Sequence, residues 1–190
     1  LREACMEAAQ WPQPLGIAVN VAPNQLAAPT FFDSVVAVLK DSGLDAQRLE
    51  LEITEESLVE DWDHTLSVMH KLRDMGVRIA MDDFGTGYSS LSMLQSFPFD
   101  KIKIDRSFIR DVHINPQRAA ILRSTLILGE AFDIPVLAEG VETRNELDFI
   151  NAAGCESAQG FYFGKPMNRA SLHAVLNADV ATDDVERKAS

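Results

Sequence analysis

Cysteine is scarce in this sequence: there are two in 190 residues, Cys5 and Cys155, far apart and outside any CxxC spacing. Their placement excludes a zinc knuckle and a disulfide framework, and it fits a reducing cytosol. Positive charge is also short, with 17 Lys and Arg against 29 Asp and Glu and a formal net charge of −12. DNA, RNA and anionic membranes all need clustered Lys and Arg, so none is expected as a partner, and a phosphate substrate would require metal ions. No apolar run approaches the roughly 18 residues of a membrane span. The N-terminus LREACMEAAQW is charged and amphipathic rather than signal-like. The segment is expected to be cytoplasmic, with any membrane anchor elsewhere in a parent chain.

The composition itself, 46% apolar and 24% charged, is that of a folded soluble domain. The domain is expected over residues 1–177. After Asn177 the tail ADVATDDVERKAS loses its apolar rhythm, which predicts disorder over 178–190.

Short apolar runs rich in Val and Ile recur at Ile17–Val21, Leu49–Ile53, Val77–Met81, Ile102–Ile104 and Pro135–Ala138, with a weaker one at Ser157–Gln159. They predict strands buried on both faces. Helical patterns lie between them. Leu66, Met69 and Leu72 form one stripe closed by Gly76, Thr143 with Glu146 reads as a capping box, and Asn168 is placed to cap the last helix. Alternating helix and strand predicts an α/β fold with a parallel sheet, either doubly wound or a (β/α)8 barrel about two units short.

Polar residues at the strand ends favour the barrel. Asn20, Glu52, Asp82 with Asp83, Lys103 with Asp105, Glu139 and Gln159 each stand at or near the C-terminal end of a predicted strand. Barrel strands ring a single mouth and build the active site there, whereas an open sheet concentrates its site at one switch point. Carboxylates gathered without compensation would raise one another's pKa values, so cations are implied. Oxygen donors without neighbouring His or Cys suit Mg2+ or Mn2+, and adjacent aspartates allow one carboxylate to bridge two metals, the arrangement of in-line phosphodiester hydrolysis. Lys103 and Asp105 alternate, which puts both on one strand face and predicts a pair; the bland alternative is a snorkelling Lys103. GFYFGK at Gly160–Lys165 is too short for a P-loop, and GTGYSS at Gly85–Ser90 lacks both serine-hydrolase and dinucleotide spacing. His64, His70, His113 and His173 fall away from the strand ends and are expected at the surface.

Six ordered motifs then carry a resemblance: VNVAPNQL (Val19–Leu26), LELEITEE (Leu49–Glu56), MDDFGTGYSSL (Met81–Leu91), KIDRSF (Lys103–Phe108), AEGVET (Ala138–Thr143) and QGFYFGKPM (Gln159–Met167). The chain resembles the EAL-domain family of cyclic di-GMP phosphodiesterases from about Ala4 to Met167. The resemblance implies a TIM-like barrel and hydrolysis of cyclic di-GMP to linear pGpG with two Mg2+ or Mn2+ ions per site. It implies Asn20, Glu52 and Asp82 on one metal, and Asp82, Asp83 and Glu139 on the other. Lys103 would act on the attacking water with Asp105 in support, and Glu55 would hold the DDFGTG loop. Gln159, Phe161 and Pro166 would contact substrate, and Glu142 is a further site glutamate. The Glu-Ala-Leu segment itself is not in the sequence, so about six of eight βα units are expected, with the first strands and one ligand upstream. If that upstream glutamate were replaced, the domain would be a cyclic di-GMP receptor without turnover. A homodimer and additional regulatory domains in the parent chain are also expected.

Overall fold

Alternation within the strands divides the molecule into a greasy outer layer and a charged inner one. In β2 (Leu49–Thr54), Leu49, Leu51 and Ile53 are fully buried and alternate with Glu50, Glu52 and Thr54. The same rhythm runs through β3 (Arg78–Phe84), with Ile79 and Met81 against Ala80 and Asp82, and through β4 (Lys101–Ile104), with Ile102 and Ile104 against Lys101 and Lys103. Successive side chains of a strand point to opposite faces, so one face carries the apolar set and the other the charged set. β2, β3 and β4 are buried on both faces, as the apolar runs predict, but their inner face is polar, and the first and last strands, residues 17–21 and 157–158, are partly exposed.

The computed structural model describes residues 1–58, 61–86 and 91–177. The remaining elements are β1 (Ile17–Val21), β5 (Val136–Ala138), β6 (Ser157–Ala158), α1 (Arg2–Ala8), α2 (Pro23–Leu26), α3 (Phe31–Ser42), α4 (Trp62–Asp74), α5 (Leu91–Ser96), α6 (Arg106–Ile109), α7 (Pro116–Phe132) and α8 (Arg144–Ala152). A last helix covers residues 169–177. The expected disorder of 178–190 and the Gly87–Ser90 part of the aspartate motif lie outside the described residues.

All six strands are parallel and pair in chain order, β1-β2-β3-β4-β5-β6. A doubly wound sheet reverses its order at a switch point, whereas this order never turns back. The sheet is the greater part of a TIM-like (β/α) barrel. The helices bury its apolar face, each fully buried Leu or Ile contributing about 1.5–3 kcal/mol.

Local signals place the helices as read from the sequence. Gly76, at φ 94°, follows α4 and turns the chain into β3. The Thr143 side chain accepts from the Glu146 N–H while Glu146 reaches back to the Thr143 N–H, completing the capping box of α8. Asn168 Oδ1 accepts from the Ser171 N–H at 2.9 Å and caps the last helix. Of the four histidines, His70 is exposed and the others are half-buried, His173 lying 2.6 Å from Glu7 Oε1.

Candidate active site

Lys103 is the hub of the barrel mouth. It rises from β4 and is 3% exposed, and its Nζ lies 2.7 Å from Glu52 Oε1, 2.9 Å from Asp82 Oδ1 and 2.7 Å from Glu139 Oε1. Carboxylates from β2, β3 and the end of β5 therefore meet on one ammonium, and Lys103 does not snorkel to solvent. Asn20 completes the ring from β1: with its amide nitrogen facing inward it donates to Glu52 Oε2 and Asp82 Oδ2, each at 3.2 Å.

Asp82 and Asp83 both serve this end of the barrel because β3 is irregular there. A regular strand would send one of two consecutive side chains outward. Pairing with β4 shifts register between Met81 and Phe84, and Asp83 takes the left-handed conformation at φ 54°. Such a bulge re-aims a side chain, and aspartate is among the few non-glycine types that accept positive φ. One oxygen each from Asp82, Asp83 and Glu139 lies within 4.8 Å of the other two.

The electrostatics match a site organised around a cation. Burial alone would lower the Lys103 pKa, but hydrogen bonds to Glu139, Glu52 and Asp82 outweigh it and hold the ammonium above the ordinary lysine range. Glu139 is raised by burial and by the charges of Asp82 and Glu52, against the pull of Lys103. Asp83 is raised by burial and by neighbouring Asp82 and Asp105. Three carboxylate oxygens of Asp82, Asp83 and Glu139 within 4.8 Å of one another form a donor set that a divalent ion would fit. The donors are all hard oxygens, which suits Mg2+ or Mn2+ better than zinc.

The flanking residues sort themselves around this ring. Glu55, 4% exposed in the turn after β2, accepts the Gly85 N–H at 2.9 Å through Oε1 and so ties down the start of the GTG loop. Gln159 continues the β5–β6 ladder: its N–H donates to Ala138 O at 2.9 Å and its carbonyl accepts from Val141 at 3.0 Å. A side chain on Gly160 would collide with the Val141 backbone, so the loop that follows is pressed against the segment after Glu139. Phe161 and Pro166 are exposed on that loop.

Asp105 departs from expectation. β4 ends at Ile104, and Asp105 instead caps α6, its Oδ1 accepting the Ser107 N–H at 2.9 Å. Burial opposes its ionisation, but donation from the Ser107 side chain and from the Ser107 and Arg106 backbones lowers its pKa. The strand's two-residue period does not extend past its last residue, so the expected Lys103–Asp105 pair is not formed. Glu142 is exposed, and the buried glutamate nearby is Glu146, three residues past the AEGVET motif and 3% exposed. Its Oε1 accepts the Asp111 N–H and its Oε2 those of Glu142 and Thr143, all at 2.9 Å. Burial works against its ionisation, yet these donors lower its pKa.

Also unanticipated is a second ion pair inside the barrel. Lys101 Nζ donates to both Glu50 oxygens at 2.7 Å, and Glu50 is 5% exposed. The signal was in the sequence: Glu50 and Lys101 each precede a site residue by two positions and therefore share its face.

Comparisons with known proteins identify the family and agree with the fold. The family model described as EAL domain matches residues 1–166. An uncharacterised signalling protein of Caulobacter vibrioides is 52% identical over 166 residues, 87% of this chain and 20% of the relative. The cyclic di-GMP phosphodiesterase NbdA of Pseudomonas aeruginosa is 39% identical over 164 residues, 86% of this chain and 21% of NbdA. The chain thus spans about a fifth of the length of these relatives. Among solved structures, the PaMucR phosphodiesterase complex with cyclic di-GMP superposes with a TM-score of 0.86 at 39% identity, covering 90% of this chain and 71% of that one. A manganese and cyclic di-GMP complex of Klebsiella pneumoniae BlrP1 gives a TM-score of 0.81 at 35% identity, covering 88% and 43%.

Proposed function

The chain belongs to the EAL-domain family, and from that membership we propose that it forms the catalytic part of a phosphodiesterase that opens cyclic di-GMP to linear pGpG with Mg2+ or Mn2+. The observation that carries the reading is the convergence of Glu52, Asp82 and Glu139 on the Lys103 ammonium, a cation already seated among the oxygens that divalent ions would take. Asn20, Glu52 and Asp82 would hold one ion, and Asp82, Asp83 and Glu139 the other. When bound, such ions supply a nucleophilic water at neutral pH and neutralise charge developing on the phosphate.

The remaining work falls to the chain's own groups. With its carboxylates engaged by metal, the Lys103 ammonium would have N–H donors free to hold and orient the attacking water. Glu55 fixes the Gly85 turn, so the two aspartates keep their aim. Gln159, Phe161 and Pro166 stand along the rim where a nucleotide would lie, the amide supplying hydrogen bonds and the ring a stacking face. Asp105 orders the start of α6 beside the site, and Glu142 lies on the loop that follows Glu139.

Incubating the intact protein with cyclic di-GMP and either metal, then separating the nucleotides by chromatography, tests the proposal. Linear pGpG is the expected product. Binding of cyclic di-GMP with no linear product under either metal would make the domain a receptor and overturn the hydrolytic reading.

A further inference from the structure

Two ion pairs stand side by side on the same strands. Glu50 and Glu52 are neighbours on the inner face of β2, Lys101 and Lys103 on the inner face of β4, and all four line one cavity of about 220 Å³ with Arg78 and Leu137. β3 runs between them, and the residue it offers at the crossing point is Ala80, paired in register with both Glu52 and Lys101. An alanine leaves room for a lysine to reach across the strand. Register therefore puts Lys101 within range of Glu52, one of the carboxylates of the site. Lys101 nevertheless bonds to both oxygens of Glu50. Arg78, in register with Glu50, extends its guanidinium toward Gly16 at the β1 edge and makes no ion pair among the described residues.

An ion pair in a barrel interior contributes little stability compared with apolar residues of the same volume, because desolvation cancels most of the Coulomb attraction. A barrel normally fills this space with branched apolar side chains. The pair is better explained by what it prevents. Without Glu50, the Lys101 ammonium would take Glu52 and add a second positive charge to oxygens that must receive metal. Without Lys101, Glu50 would be an unpaired buried carboxylate in the cavity that Glu52 also lines, and its charge would add to the negative potential at the site.

We propose that Glu50 and Lys101 form a positioning pair that keeps Lys101 off Glu52 and leaves no uncompensated charge beside the site, and so sets its metal affinity. The proposal rests on the reading of Glu52, Asp82, Asp83, Glu139 and Lys103 as the metal-dependent centre, and it assigns Glu50 and Lys101 no contact with metal or substrate.

The test uses Glu50→Gln, Lys101→Met and the double variant in the intact protein, with Mn2+ affinity measured by calorimetry and kcat and KM measured on cyclic di-GMP. A unit charge gained or lost beside the ligands should move Mn2+ affinity by about fivefold or more. Glu50→Gln should weaken Mn2+ binding as Lys101 swings to Glu52. Lys101→Met should tighten it, because the Glu50 charge is no longer neutralised beside the ligands. The double variant should return Mn2+ affinity to the wild-type value. Shifts in the same direction for both single variants, no shift, or a double variant worse than either would overturn the proposal, since general loosening of the barrel cannot give opposite signs. If the wild type binds Mn2+ with these shifts but produces no pGpG, the hydrolytic reading fails and the positioning pair stands. If it produces pGpG without the shifts, the reverse holds.

Discussion

Glu55 and Gly85, thirty residues apart, are joined by a single 2.9 Å hydrogen bond from the Gly85 N–H to the buried Glu55 carboxylate. The bond fixes the backbone two residues beyond Asp83, at the point where β3 leaves its regular path. Glu55→Ala should therefore lower turnover or Mn2+ affinity by about 10-fold or more, the usual cost of losing a group that orients a metal ligand. Glu55→Gln should keep part of both, because its side-chain carbonyl still accepts the N–H. Mn2+ titration of activity in the two variants checks this; equal losses in both would assign the effect to charge rather than to the bond.

Lys103→Ala should lower kcat by about 100-fold or more with little change in KM, since the role proposed for the lysine is on the nucleophile and would be exerted in the transition state. The same variant should be less stable without metal by about 3 kcal/mol, because three carboxylates lose their shared counter-ion. Mn2+ should then raise its melting temperature more than it raises that of the wild type. In the wild type, chelation should abolish turnover and leave the fold intact, the ammonium holding the ring together. A wild type that unfolds on chelation would contradict this.

Asp83 gives a pH test with a definite sign. Its folded pKa is raised by burial and by Asp82 and Asp105, so when ionised it costs stability that is absent below the ordinary carboxylate range and appears as pH rises through the raised value. Asp83→Asn accepts the same left-handed backbone and carries no charge. The metal-free variant should melt above the wild type at pH 7, and the difference should vanish in acid. With saturating Mn2+ the order should reverse, since a carboxylate would hold the proposed second ion more tightly than an amide.

Glu146 behaves in the opposite sense. Although burial opposes it, its pKa is lowered by the backbone donors of Asp111, Glu142 and Thr143, so its contribution is present above the ordinary glutamate range and is lost as pH falls through the lowered value. Glu146→Ala should cost about 1–3 kcal/mol of unfolding free energy at neutral pH, as three N–H groups lose their acceptor. Denaturant melts at pH 7 and at acid pH check both magnitude and trend.

Much of the site was legible because barrel chemistry concentrates at strand ends. Asn20, Glu52, Asp82, Lys103 and Glu139 each stop or punctuate an apolar run, and the strands deliver them to one mouth. What the sequence hid depends on three-dimensional facts. Two consecutive aspartates can serve one site only through a bulge and a left-handed residue, neither of which has a spacing signature. Asp105 caps α6 instead of pairing with Lys103, because the alternation of β4 ends at Ile104, although its charge still reaches Asp83. The Glu50–Lys101 pair joins residues 51 positions apart, and seeing it requires knowing that Ala80 lies between them.

The backbone at Asp83 also constrains descent. At φ 54° the position admits aspartate, asparagine or glycine with little strain and resists branched or bulky side chains. A lineage released from selection for hydrolysis, but still selected to keep its barrel, has a narrow exit here. Aspartate becomes asparagine or glycine by a single base change, and either leaves the fold undisturbed while removing the charge. Aspartate to valine or alanine is as short a genetic step, but it meets the backbone as well as the chemistry. Descendants that have lost the reaction should therefore read Asp-Asn or Asp-Gly at these positions far more often than chance codon change would give.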